Sequence, residues 1–165
     1  MWILAEFDNV LRVIKHSWEN IDIYSAAQAI KSFATGVFPS HWLEMSKSRL
    51  YDGNESASWT IHRIVKDLLT VFSPICPFFT HHLSVTLFDS SAVDVREFPD
   101  LGDIVNHTEA TGLLDLTEAI IIFNSKIWKM KKDAGNSLNS PISGISIPTE
   151  LSDFSDTLAV MHKIE

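Results

Sequence analysis

WILAEFDNVLRVIKHSWENIDIYSAAQAIKSF, residues 2–33, decides the fold class. Apolar side chains recur there at i, i+4 and i+7, first at Ile3, Phe7, Val10, Ile14 and Trp18. This spacing places them on one face of an amphipathic helix, with Arg12 and Lys15 outside that face. Asp22 is suited to cap a second helix. Its apolar stripe follows as Ala26, Ile30, Phe33 and Val37. Two such helices in succession predict a helical bundle.

The next fifty residues extend this helical pattern. Gly36 and Pro39 are expected to interrupt the second helix, because an interior proline usually kinks or ends a helix. Beyond that break a different helix face carries the pattern, with Phe38, Trp42 and Met45 followed by the basic Arg49. Residues 55–72 are predicted to form a third helix, which the prolines of SPICP (73–77) end. Residues 78–88 then form a short fourth helix.

The last third of the sequence has a different character. Residues 89–103 are a polar connection in which Val93, Val95 and Phe98 are expected to be extended. A capping-box variant at 106–109 opens a long helix that runs to about Asp133. After a loop at 135–144, residues 145–148 are a strand candidate, and Thr149 is expected to cap a final helix. We therefore predict a mainly α protein: an antiparallel helical bundle over 1–100 and a small α+β appendage over 101–165.

Composition restricts the class of protein. The 165 residues are 45% hydrophobic and 21% charged, which is typical of a globular domain, and no apolar run is long enough to span a bilayer. The single cysteine, Cys76, excludes an internal disulfide and, with no export leader, predicts a cytoplasmic location. The histidines show no spacing typical of zinc. The net charge of −8 argues mildly against a free-standing nucleic-acid binder, although local basic patches can still bind RNA.

Ser46-Lys47-Ser48 imitates the Lys-Met-Ser-Lys-Ser loop with which class I aminoacyl-tRNA synthetases stabilise the phosphates of ATP. That loop requires a nucleotide-binding α/β fold, and nothing of that kind precedes residue 46. Glu44 also stands where the first lysine of the motif belongs. We therefore predict no ATP site and no catalytic residue in this sequence.

Three clusters combine aromatic or basic side chains in a way that suits RNA, whose unpaired bases stack on aromatic planes while cations hold phosphates. The predicted RNA-binding residues are Phe38, Trp42, Lys47 and Arg49, then Trp59 and Arg63, and finally Lys126, Lys129, Lys131 and Lys132. Simpler alternatives exist for two of the clusters. Phe38 and Trp42 also fit a helix core, and the lysines also fit a favourable interaction with a helix C-terminus.

Five segments in order resemble a known family. Residues 2–33, HWLEMSKSRLYDG (41–53), LLTVFSPICPFFTHHL (68–83) and VREFP (95–99) resemble the anticodon-binding domain of class Ia aminoacyl-tRNA synthetases. NSKIWKMKKDAGNSLNSPISGISIP (124–148), with the closing MHKI, resembles the C-terminal region of the valyl enzymes of the archaeal type. Two positions depart from the family pattern: Ser73 replaces a histidine, and His81-His82-Leu83-Ser84 replaces Glu-Glu-Leu-Trp.

The resemblance implies a module that grips the anticodon stem-loop of a valine-accepting tRNA and is not itself catalytic. ATP and amino-acid activation would belong to catalytic and editing domains upstream in the same chain, so no cofactor is expected here. Two alternatives stay open: the same domain of an isoleucyl- or leucyl-type synthetase, and a helical protein-interaction module.

Overall fold

A computed structural model describes residues 2–89, 93–105 and 107–165, with the side chains of 107–111 left aside. The described residues are mainly helical, which confirms the predicted fold class. The α-helices are α1 (Trp2–Glu19), α2 (Ile23–Ser32), α3 (Glu44–Tyr51), α4 (Glu55–Phe72), α5 (Pro77–Phe88), α6 (His107–Asp133) and α7 (Ser155–His162). A π-helical segment, Phe33–Leu43, joins α2 to α3, and two 3₁₀ turns occupy Val93–Val95 and Thr149–Phe154.

The first two helices pair as the sequence predicts. Phe7 and Ile14 of α1 are fully buried, and Ala26 and Ile30 of α2 lie in the same core. Asp22 caps α2, because its Oδ1 accepts a hydrogen bond of 3.0 Å from the Ser25 amide. The predicted antiparallel start of the bundle is thus built on the apolar stripes of these two helices.

The predicted break at Gly36 and Pro39 is wrong. Ser32 and Glu44, which flank the π-helical segment, both keep right-handed helical dihedrals, so the helical path runs without a break from Ile23 to Tyr51. A π-helical turn is wider than an α-helical turn, because each N–H pairs with the carbonyl five residues earlier. Pro39, which cannot donate an N–H, is accommodated inside this widened stretch.

The widened turns also explain why three aromatic rings share one face. In an α-helix, residues five apart point roughly 140° away from each other. In a π-helix they lie nearly above one another. Phe33, Phe38 and Trp42 are therefore all buried, at 1%, 7% and 6% exposure. Their rings continue a stack that begins at Phe7, with centroids 4.9, 5.7 and 5.4 Å apart along the series.

Helix α4 has the predicted bounds, and α5 begins one residue earlier than predicted. Asn54 caps α4 by accepting a hydrogen bond of 2.9 Å from the Ala57 amide. In α5 the buried side chains are the small polar Thr80 and Ser84. Its exposed large apolar side chains are Phe78, Phe79, Val85 and Leu87. The extended segment predicted around Val93 and Val95 is wrong, since these residues form a 3₁₀ turn.

Helix α6 packs against α1 and the π-helical segment. Its buried residues Ile120, Phe123 and Ile127 belong to the same core cluster as α1. Thr117 bridges the two helices: its Oγ1 accepts from Trp2 Nε1 at 2.8 Å and donates to Glu6 Oε2 at 2.7 Å. The predicted capping box at 106–109 lies outside the described residues. The division into 1–100 and 101–165 stays a prediction.

The C-terminal segment returns along α6 without a sheet. Residues 145–148 have no regular secondary structure and pair with no strand within the described parts of the chain, so the predicted strand is wrong. The observed pairing is a single parallel bridge between Ile142 and Ile164. Thr149 is the first residue of a 3₁₀ turn that follows Pro148 rather than a helix cap. Leu151 and Leu158 are fully buried and join the core.

Candidate nucleic-acid interface

An open groove of about 730 Å³ runs between α3, the end of α6 and α7. Its lining combines two lysines, one glutamate, two aromatic residues, two uncharged polar residues and four aliphatic or thioether side chains. The lining residues are Glu44, Met45, Lys47, Ser48, Tyr51, Trp128, Leu138, Asn139, Val160, Met161 and Lys163. We call this cleft the α3–α7 groove.

The cations of the groove come from two different helices. Lys47 on α3 is paired with Glu44, and its Nζ lies 2.6 Å from one carboxylate oxygen. This hydrogen bond raises the pKa of Lys47, so its charge is secure at neutral pH. Lys163 follows the last residue of α7 on the other side of the groove. One wall is formed by the loop after α6, and residues 134–148 contain no Asp, Glu, Lys or Arg.

Lys163 occupies a backbone position that normally takes glycine. Its φ is 51°, in the left-handed region, and it closes α7 with hydrogen bonds from its own amide and from the Ile164 amide. Gly53 and Gly135 fill the corresponding positions after α3 and α6, at φ of 73° and 71°. A strained residue that persists at such a position, with its side chain in a cleft, is a recognised sign of functional use.

The two aromatic residues of the groove differ in exposure. Tyr51, at the end of α3, is 84% exposed and therefore presents its ring to solvent. Trp128 on α6 is half-buried and lies against the rings of His41 and His162, with centroids 5.4 and 5.9 Å away. A fixed indole and a free phenol ring at one cleft are the type of planes on which unpaired bases stack.

A buried polar chain supports the groove from beneath. Asn124 Nδ2 donates to Nδ1 of His41 at 3.0 Å, and Asn124 Oδ1 accepts from Nε2 of His162 at 2.7 Å. The first bond requires Nδ1 of His41 to be unprotonated, and the second requires Nε2 of His162 to carry a proton. Burial lowers the pKa of His41, and it lowers that of His162 to about 4, with the nearby Lys131 adding to the effect. Both histidines are therefore neutral at pH 7.

Phe38 and Trp42 belong to the core, so the alternative interpretation of this pair is the one the structure supports. Phe38 is sandwiched between Phe33 and Trp42, and Trp42 is 6% exposed. Neither ring offers a free face to an RNA base. Their cationic neighbour Arg49 is exposed, donates to Ser46 Oγ at 3.1 Å and lines a smaller cavity of about 160 Å³ beside the groove.

The pair predicted on α4 does not line the groove. Trp59 is 48% exposed, which leaves it available for a contact of another kind. Arg63 is used within the fold: its Nε lies 2.6 Å from Asp67 Oδ2, and its Nη2 donates to the Asp100 carbonyl at 2.8 Å. Burial raises the pKa of Asp67, and the bond from Arg63 opposes that shift. Arg63 thus ties α4 to the connection that follows α5.

The four lysines of α6 divide into two kinds. Lys126, Lys129 and Lys132 are exposed and remain free to meet a phosphate backbone. Lys131 is 1% exposed and hydrogen-bonds two backbone carbonyls, so it is a core residue and not a phosphate contact. Lys126 lines a separate, largely apolar cavity of about 360 Å³ between α6 and residues 144–150.

Tyr51, Trp128, Asn139 and Lys163 are groove residues with aromatic, polar or charged side chains that the sequence patterns did not single out. Tyr51 belongs to SRLYDG and Trp128 to KIWKMKK, both within segments that resemble the family. An aromatic residue near basic ones was therefore available as a signal in each, with lysines on both sides of Trp128 and Lys47 and Arg49 before Tyr51. Neither helical spacing nor charge could show that these segments meet across a cleft.

Two other kinds of feature matter in the described parts of the chain, metal-ligating clusters and membrane-spanning helices. Among them, no three His, Cys, Asp or Glu side chains are placed to hold a metal ion. Within the same residues, no helix has the length and apolar character that crossing a membrane requires. A cleft that presents aromatic rings and cations to solvent is of the kind that suits unpaired nucleotides.

Comparison with known proteins identifies the family of the chain. A family model described as the anticodon-binding domain of tRNA ligase matches residues 1–145, so the chain belongs to this family. A valine–tRNA ligase of Saccharolobus solfataricus is 32% identical over 143 residues, covering 86% of this chain and 17% of the relative. A valine–tRNA ligase of Aeropyrum pernix is 27% identical over 170 residues, covering 97% of the chain and 20% of the relative. The chain therefore spans about a fifth of the length of these relatives.

Proposed function

We propose that this chain is the anticodon-binding part of a valine–tRNA ligase, and that the α3–α7 groove receives unpaired nucleotides of the anticodon loop. The observation that carries the proposal is the convergence of Tyr51, Trp128, Lys47 and Lys163 on one cleft of a domain that belongs to the anticodon-binding family. The tyrosine and tryptophan would stack on bases, and the two lysines would hold the neighbouring phosphates.

The exposed lysines of α6 extend the proposed contact beyond the groove. Lys129 and Lys132 come directly after Trp128 on the same helix, and both are exposed. In this arrangement bases enter the groove while the stem backbone follows α6. The role of the chain is then positioning and base readout, with no chemical step of its own.

The activity of the whole protein follows from the same proposal. The relatives that carry the name valine–tRNA ligase are about five times longer than this chain. Amino-acid activation with ATP, and editing, would belong to domains upstream, and valine would be attached to its tRNA in the cytoplasm. The net charge of −8 is compatible with this arrangement, because other domains can supply phosphate contacts.

The proposal is tested by binding of a labelled anticodon stem-loop RNA, followed by fluorescence anisotropy from about 50 to 200 mM salt. We expect affinity to fall steeply with salt, and to fall again when the valine anticodon bases are replaced within the same stem. Competition with isoleucine and leucine anticodon loops separates the valyl assignment from the two related synthetase types. Equal, undetectable binding of every loop at low salt would refute the proposal.

A matched pair of variants locates the site. Tyr51→Ala should weaken binding about tenfold, since one base-stacking contact contributes roughly 1–3 kcal/mol. Tyr24→Ala is the control, because Tyr24 is also a helix-surface tyrosine, 73% exposed, but does not line the groove. Equal effects of the two substitutions would place the RNA elsewhere on the domain.

The second candidate function is a helical protein-interaction module, and one observation favours it. The exposed side of α5 carries Phe78, Phe79 and Leu87, at 90%, 56% and 54% exposure. Apolar surface of this kind often marks a protein contact. This function predicts no salt-dependent affinity for RNA, so the anisotropy experiment distinguishes it from the first.

A further inference from the structure

Lys131 is a buried ammonium group with two backbone partners. Its Nζ donates to the Leu138 carbonyl at 2.9 Å and to the His162 carbonyl at 2.7 Å, and the residue is 1% exposed. Lysine is seldom fully buried, because its charge is costly to remove from water. Burial, together with the nearby charge of Lys163, lowers the pKa of Lys131. The two hydrogen bonds therefore have to compensate for the free energy lost when this charge is removed from water.

The two carbonyls belong to two segments that both contribute lining residues to the α3–α7 groove, the loop after α6 and the end of α7. Leu138 lies in the loop after α6, and Leu138 and Asn139 line the groove. His162 is the last residue of α7, where the final carbonyls of a helix lack intrahelical partners and carry the negative end of its dipole. The next residue is Lys163. Lys131 Nζ thus links two walls of the groove, the loop wall at Leu138 and Asn139 and the helix wall at the end of α7.

The same helix also supplies the floor of the groove. Trp128 lies three residues before Lys131, so its ring is fixed relative to Nζ by one turn of α6. On the preceding turn, Asn124 holds the His162 imidazole. Helix α6 therefore grips the end of α7 twice, once at the His162 side chain and once at its backbone.

We propose that Lys131 is a positioning residue that sets the spacing between Trp128, the 138–139 wall and Lys163, and thereby shapes the groove for RNA. This inference rests on the proposed function of the groove. Lys131 touches no nucleotide in this arrangement. It acts through the backbone of the residues that do.

The test compares Lys131→Met with Lys132→Met in the full chain. Methionine keeps an unbranched side chain but removes the charge and its hydrogen bonds, and Lys132 is an exposed neighbour on the same helix. Stem-loop RNA binding is measured against salt at a temperature where circular dichroism shows each variant fully folded. Amide hydrogen exchange of residues 134–142 and 158–164 is followed in the same samples.

We expect Lys131→Met to weaken binding about tenfold while the slope of affinity against salt stays at the wild-type value. Amide exchange should accelerate in the two walls and remain unchanged in α4. Lys132→Met, if it loses a phosphate contact, should reduce the slope by about 0.7 and leave wall exchange unchanged. Affinity that is lost without loss of slope is the signature of positioning.

Three results would overturn the inference. A folded Lys131→Met that binds RNA as tightly as wild type would leave Lys131 a purely structural residue. A slope reduced by about 0.7 would make it a direct phosphate contact. No binding by the wild-type chain would overturn the proposed function and this inference together. Wild-type binding that Tyr51→Ala weakens and Lys131→Met does not would overturn the inference alone.

Discussion

Replacing Lys163 with glycine is expected to stabilise the chain and to weaken RNA binding at the same time. Lys163 holds φ at 51° after α7, and Ile21 holds φ at 59° after α1. The same pair of backbone hydrogen bonds closes both helices. Glycine is favoured at this position because it has no Cβ to clash with the backbone. The two residues therefore form a matched pair, one inside the groove and one outside it.

The magnitude follows from two opposing terms. A left-handed conformation costs a non-glycine residue roughly 1–2 kcal/mol. Glycine loses about 0.5–1 kcal/mol of that gain through the greater entropy of the unfolded chain. The net gain of about 0.5–1 kcal/mol corresponds to a rise in Tm of about 2 °C for a domain of this size. Lys163→Gly has a further source of stability, because it removes the charge that opposes the buried Lys131 ammonium.

The assay combines thermal unfolding with the stem-loop titration. Ile21→Gly should raise Tm and leave RNA affinity unchanged, because Ile21 is 83% exposed and does not line the groove. Lys163→Gly should raise Tm at least as much, yet lose one phosphate contact, seen as a salt slope reduced by about 0.7. Lys163→Gly with a raised Tm and unaltered RNA affinity would refute a binding role for Lys163. A Tm that rises in Ile21→Gly but not in Lys163→Gly would refute the argument that the backbone is strained at Lys163.

Two further predictions concern the core and the buried histidines. Phe38→Ala should reduce the free energy of unfolding by about 3–5 kcal/mol, as measured by urea denaturation, because it empties the middle of an aromatic stack; a surface role would leave stability nearly unchanged. The free energy of unfolding should also fall as pH drops from about 6.5 to 4, by about 3 kcal/mol, because the unfolded chain gains a proton at His162 that the folded chain excludes. This contribution is complete above pH 6.5 and should be largely absent from His162→Gln; an identical pH dependence of the two proteins would contradict it.

The sequence predicts the helices well where one periodicity governs them. The stripe of α1, the bounds of α4 and the cap at Asp22 depend on contacts within a few residues, so local pattern is sufficient. The error at Pro39 has the opposite cause. A π-helical stretch lets proline stay inside a helix and moves Phe38 onto the face of Phe33, which an assumed α-helical period cannot show.

The site is less predictable because it joins distant parts of the chain. Lys47 was found through its charge, but the groove that contains it also needs Trp128, Asn139 and Lys163. Lys131 has the same charge and neighbourhood in sequence as Lys129 and Lys132, and only the return of α7 buries it. Periodicity describes one helix at a time, whereas burial of a particular lysine depends on what later packs on it.

The π-helical segment also determines the direction in which the side chains of α3 point relative to those of α2. Removing one residue, such as Gly36, would rotate α3 about its axis relative to α2, because the segment would lose one residue's share of a turn. Lys47 and Tyr51 would then leave the groove, although both lie far along the chain from the deletion. Helix α3 presents Lys47 and Tyr51 to the groove because the eleven residues before it form the wider turns of a π-helix. The pitch of one buried segment thus determines which side chains of this domain can face an RNA.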